Sequence, residues 1–250
     1  MMSNLGELFD GYGVRARLMP ALLTLLPLVL GLFAWTGPGV LWMSALWTLF
    51  GTTGATFALA MISRNLGREV QPRLWRSWGG SPTLQLLRHR GTGNPVLRER
   101  WHRSLEKIVG SKFPTTEEEA GDPKAADAIY EAAIHLLIEK RRDKSVHHLI
   151  YNENVNYGFC RNLYALKKIG IPIALVGGAI SVTGGLPATK TLEFSWACAG
   201  VNAIFLLSWM FIVTPAFVRY PAFAYADRLL ASCDSSSTST KRKHSKAANN

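Results

Sequence analysis

The sequence predicts an all-α polytopic membrane protein, with four transmembrane helices as two hairpins and a helical cytosolic domain inserted between them. Three observations predict it. No Asp, Glu, Lys, Arg or His occurs from Leu18 through Ser63, from Ile169 through Thr189, or from Phe194 through Val218. The middle of the chain is dense in charge and carries helix start and stop signals, with little of the two-residue alternation of strands. Nineteen of the 28 Lys and Arg lie in 64–168 and six in 219–250, whereas the two outer turns together hold only Lys190.

A spanning helix needs about 20 mostly apolar residues. The first uncharged run is therefore a hairpin over 18–63, turning at WTGPG (35–39), and it follows a cytosolic segment, 1–17, with Arg15 and Arg17. Its first span is expected to be retained, since no A-x-A-like cleavage site follows. In the second span Ser44, Thr48, Thr52 and Thr56 recur every four residues beside Gly51 and Gly54. Such small and hydroxylated residues suit span packing or the lining of a pore. The second hairpin, 169–218, has spans at about Ile169–Val182 and Phe194–Val218. By the positive-inside rule both termini face the cytoplasm and the chain sits, multi-pass, in the inner membrane. Its net charge of +11 then meets anionic lipid head groups and anionic small molecules; nucleic acid is not expected.

Within 64–168, Ser81-Pro82, Asn94-Pro95 and Asp122-Pro123 each place a capping residue before a proline at the first helical position. They predict helices over 95–109, with Leu97, Trp101, Leu105 and Ile108 on one stripe, and over 123–142, with Ile129, Ala133, Leu136 and Leu137 inward. A further helix is expected over 145–168. The acidic stretch 113–122 reads as a surface loop, and 219–250 as a basic, largely disordered tail.

Catalytic signatures are missing: there is no P-loop, H-E-x-x-H, G-x-S-x-G or C-x-x-C. The three cysteines have no paired spacing, and His135 and the His147-His148 pair sit on different helical faces, so neither a metal nor a cofactor is expected. One cluster could take an anion: Gly79, Gly80 and Ser81 lead into a proline-started helix, with Arg73, Arg76, Arg88 and Arg90 nearby. The same residues also suit a membrane interface, where Trp75 and Trp78 settle and arginines reach head groups. A second cluster, Asn152, Glu153, Asn156, Tyr157 and Arg161, suits a polar network coupling the soluble domain to the spans. An enzyme acting on lipid head groups through Glu153, Tyr157 and Arg161 is the remaining alternative.

The stretches RLMPALLTLLP (17–27), WRSWGGSP (75–82) with LLRHR (86–90), and NENVNYGFCRN (152–162) together resemble an uncharacterised family of bacterial inner-membrane proteins. That resemblance implies location but no chemistry. In plan the chain is also similar to multi-span membrane effectors of anti-phage defence, in which a cytosolic domain senses a signal and the spans breach the membrane. The polar stripe of the second span, the arginine and tryptophan cluster and the missing catalytic signatures predict a self-associating, non-enzymatic protein that controls permeability or assembly, with a cytosolic domain that receives an anionic signal or a protein partner. A membrane scaffold or accessory subunit is the alternative.

Overall fold

The computed structural model describes residues 11–36, 41–184 and 192–247, with side chains placed for 11–35, 54–184 and 192–233. Among the described residues every regular element is helical. A helical turn at Gly11–Gly13 and a π-helical turn at Val14–Leu18 lead into α1 (Met19–Thr36). Then come α2 (Leu41–Trp78), α3 (Pro82–Leu87), α4 (Pro95–Val109), α5 (Thr116–Gly121) and α6 (Pro123–Lys140). The long α7 (His148–Gly184) follows, then α8 (Leu192–Leu207), extended by a second π-helical turn at Ser208–Ile212, and α9 (Pro215–Ala247).

Among the described residues three helices are long and apolar enough to cross a membrane: Gly11–Trp35, His148–Gly184 and Leu192–Ile212. The expected second span falls in α2, where the side chains of Ser44, Thr48 and Thr52 lie outside the described residues. Thr56 is described, and it is buried. The chain divides into two compact units: Met1–Pro72 with Val155–Arg219, and Arg73–Asn154 with Tyr220–Asn250.

The first unit is built around Ala21, Leu59, Ala60, Leu163, Leu166, Ala174, Trp209 and Val213. Lipid is as apolar as leucine, so spans associate by close packing of small residues rather than by hiding grease from water. α7 carries Gly170, Gly177 and Gly184 at seven-residue intervals, which places them along one side of the helix. A Cβ at Gly177 would overlap the Pro27 carbonyl oxygen of α1, and one at Gly31 would stand 2.6 Å from the Gly177 carbonyl oxygen. At Gly170 it would stand 2.5 Å from the Trp209 indole. Here the backbones of α1 and α7 touch. Polar side chains are turned inward and donate hydrogen bonds: Thr24, Ser63 and Ser181 donate to the carbonyls of Pro20, Ala60 and Gly177 in their own helices. Ser195 donates to the Ala34 carbonyl of α1 at 3.1 Å, and the Asn202 amide to Ser181 Oγ at 3.1 Å.

The fourth expected span, 194–218, is corrected, because it is not one helix. α8 closes with a five-residue-apart hydrogen bond from Val213 N–H to the Ser208 carbonyl, and Pro215 starts α9. Proline disfavours helical backbone in the residue before it, so Thr214 leaves the helix. The Lys167 ammonium holds two carbonyls at the break, Met210 at 3.2 Å and Val213 at 2.9 Å.

The second unit buries Leu84, Leu87, Trp101, Leu105, Phe113, Tyr130, Ile134, Leu137 and Ile150. All three proline-preceding caps form as expected: Ser81 accepts from Leu84 N–H, Asn94 from Val96 and Leu97, and Asp122 from Lys124 and Ala125. Gly110 stops α4 at φ +78°, a conformation that suits glycine. Three expectations need correction here. Residues 113–122 are no loose loop: Thr115 and Glu118 form a capping box that starts α5, and Phe113, Pro114 and Glu119 are buried. On α6 the buried face is Ala126, Tyr130, Ala133, Ile134 and Leu137, while Ile129 and Leu136 are exposed, because the large Tyr130 ring takes the inner position. Residues 219–250 do not form a separate disordered tail: α9 is helical to Ala247, and Leu229, Leu230 and Cys233 enter this core with Tyr225 against it.

Candidate functional site

The densest polar constellation in the second unit lies where the 88–90 segment meets α5 and α6. Arg88 forms a two-pronged ion pair with Asp127, with Nε and Nη2 each 2.7 Å from a carboxylate oxygen. Arg90 reaches Glu119 and Asp127, both at 2.8 Å. Glu119 is 2% exposed and accepts from four donors: the His89 and Arg90 amides, the Arg90 guanidinium and the Tyr130 hydroxyl. A buried carboxylate is tolerated when it is hydrogen-bonded in this way.

Protonation follows from that geometry. Burial alone would raise the Glu119 pKa, but the His89 and Arg90 amides, the Tyr130 hydroxyl and the Arg90 guanidinium outweigh it, so the carboxyl is held below its ordinary value. Burial, reinforced by the hydrogen bond to Glu119, pushes the Tyr130 hydroxyl well up. His102, edge-on to His89 and Phe113, is lowered mainly by burial, although its 2.7 Å bond to the Leu87 carbonyl opposes that. At neutral pH, therefore, Glu119 is ionised with its lone pairs taken, and Tyr130 and His102 are neutral. Chemically, the cluster is a clasp fastening α5 and α6 to the 88–90 segment.

The arginine and glycine cluster of the sequence is brought together only in part. Gly79 and Gly80, at φ +90° and +133°, end α2 through the bond from Gly80 N–H to the Trp75 carbonyl. Their own carbonyls accept from Arg88 Nη1 and Gln85 Nε2, both at 2.8 Å. Ser81 is spent on capping a six-residue helix. An anion at Arg88 or Arg90 has to displace Asp127 or Glu119, while Arg73 and Arg76 are exposed on the last turns of α2.

The 152–162 cluster separates as well. Arg161 donates to Gln71 Oε1 at 2.5 Å and to Asn162 Oδ1 at 3.3 Å, and its guanidinium stands 5.5 Å from the Tyr157 ring centre. Asn162, 1% exposed, donates in turn to the Ala16 carbonyl at 2.7 Å. A Cβ at Gly67 would overlap Asn162 Oδ1, so glycine there is what admits the network. Asn152 and Asn156 are exposed, and Asn152 and Glu153 belong to the other compact unit. Sequence reasoning missed Glu119, Asp127, Tyr130, Gln71 and Asn162; of these only Glu119 was signalled, by the T-x-x-E box at 115–118 beside it. Among the described residues no group of three His, Cys, Asp or Glu could hold a metal ion.

Fold and clusters together define a protein that, among the described residues, is all-helical with three membrane-competent helices. Comparison with protein-family models, with curated proteins and with solved structures returns no match.

Proposed function

We propose that the chain is a non-enzymatic, multi-pass inner-membrane protein that self-associates through its spans. Four spans form two hairpins, both termini are cytoplasmic, and the Arg73–Asn154 and Tyr220–Asn250 unit is the cytosolic domain that receives an anionic signal or a partner. Its output is control of permeability or assembly, and anti-phage defence is the setting such a device suits. The observation that supports this most is the inversion of the first unit: Leu32, Ile204 and Phe211 face outward while Thr24, Ser181, Ser195 and Asn202 are buried. Such a surface needs lipid or another copy of itself against it. The test is inner-membrane potential and cross-linked oligomer size after induction. Unchanged potential together with a strictly monomeric protein in every induced or infected state would refute the reading.

A scaffold that docks one cytosolic protein is the second reading, favoured by the exposed Ile129 and Leu136, seven residues apart on α6. A hetero-complex of fixed stoichiometry purified in detergent would decide for it.

A further inference from the structure

At the start of α7 a cavity of about 230 Å³ opens in the second unit, lined by His147, His148, Arg228 and Ser232 with Val146 and Ile150. Most arginines with a described environment are committed elsewhere: Arg88 and Arg90 to carboxylates, Arg161 to Gln71. Arg228 makes no hydrogen bond or ion pair among the described residues, so its planar fork of N–H donors is open. Behind the lining residue Ser232, Arg141 donates to Ser232 Oγ at 3.2 Å and to the Ser232 carbonyl at 3.1 Å. The nearby carboxylate of Asp143 is closed on the Ser145 amide and hydroxyl at 2.9 and 2.7 Å. Two imidazoles and the Arg228 guanidinium thus line one concavity, with the Arg141 guanidinium held behind its Ser232 wall.

We propose that this cavity binds a small phosphate-bearing anion, gripped by the Arg228 fork and hydrogen-bonded by His147 and His148. Guanidinium matches two phosphate oxygens at once, which an ammonium cannot do. The volume lies below the ~300–1,000 Å³ of sites that engulf drug-sized ligands, so it suits one or two phosphate groups. This names the anion of the proposed sensing domain and rests on that reading for its purpose, though not for its existence. The phosphate has two possible sources, a free anion or an anionic lipid head group.

The experiment titrates pyrophosphate into the full-length protein in neutral detergent by calorimetry. Saturable binding is expected, about 10- to 100-fold weaker in Arg228→Ala, as loss of hydrogen bonds to a charged group implies. Arg228→Lys should fall between, and Arg142→Ala, a highly exposed arginine paired with Glu139, should bind as the wild type does. Repeating the titration in nanodiscs separates the sources. Binding abolished by phosphatidylglycerol but kept in phosphatidylcholine assigns the site to lipid; equal binding in both assigns it to a free anion. No saturable binding in detergent, an Arg228→Ala variant indistinguishable from wild type, or an equal loss in Arg142→Ala would overturn the site. Binding that leaves membrane potential and oligomer size unaltered would keep the site and remove the proposed function instead.

Discussion

Replacing Glu119 by alanine tests the clasp directly. The carboxylate serves four donors at 2.8 to 3.1 Å and is 2% exposed, so water cannot take its place. Arg90 keeps its second partner, Asp127, at 2.8 Å. The His89 and Arg90 amides and the Tyr130 hydroxyl are left without an acceptor. Each stranded donor costs ~1–3 kcal/mol, and breaking a buried charge pair costs ~3–5 kcal/mol in all, which is the figure expected here. Against a domain stability of ~5–15 kcal/mol that is a large fraction. Hydrogen exchange of the full-length protein in detergent reads it out: peptides spanning 84–94 and 113–121 should exchange about 10²- to 4 × 10³-fold faster, at roughly tenfold per 1.4 kcal/mol. Glu119→Gln keeps the volume and one acceptor oxygen and should lie between, while the exposed Glu117→Ala should change nothing. Wild-type protection in Glu119→Ala would refute the assignment of this carboxylate as the clasp.

Gly177→Leu should lower the thermal midpoint of the detergent-solubilised protein, since overpacking costs ~1–3 kcal/mol and the neighbour it meets is backbone; Gly54→Ala, with nothing within 4 Å, should leave it unchanged or raise it, and the reverse order would exclude the α1–α7 crossing. Both His102 and Glu119 have folded pKa values below their ordinary ones, so both contribute stability that is lost on acidification. The midpoint should fall first as pH drops below 6.5 toward the depressed value of His102, then again below 4.5 as Glu119 protonates, and His102→Gln should erase the first step. A flat midpoint from pH 7 to 5 in the wild type would contradict this. Arg161→Ala leaves Gln71 Oε1 and the buried Asn162 short of a donor and should cost ~1–3 kcal/mol, with Arg161→Lys recovering only part because it cannot reach both at once.

How much of this was legible in the sequence depends on the reach of each signal. The caps at Ser81, Asn94 and Asp122 and the stop at Gly110 act within about a turn, and all four were readable. The clasp was not, because Arg90 and Glu119 stand 29 residues apart and Arg88 and Asp127 39, and an acidic run read locally looks like solvated surface. For the same reason α9 passed for a tail: Tyr225, Leu229, Leu230 and Cys233 form a helical stripe only once another core is there to receive it. In the spans the difficulty is inverted. Apolar side chains occur all round a lipid-facing helix, so hydrophobic periodicity, which marks the buried face in water, marks nothing there. What marks it is smallness: Gly170, Gly177 and Gly184 pick out the face of α7 on which α1 and Trp209 lie. Of the Ser44 to Thr56 series only Thr56 has a described side chain, and it is buried. On α7 a seven-residue step drifts by only about 20°, which keeps the three glycines on one contact line.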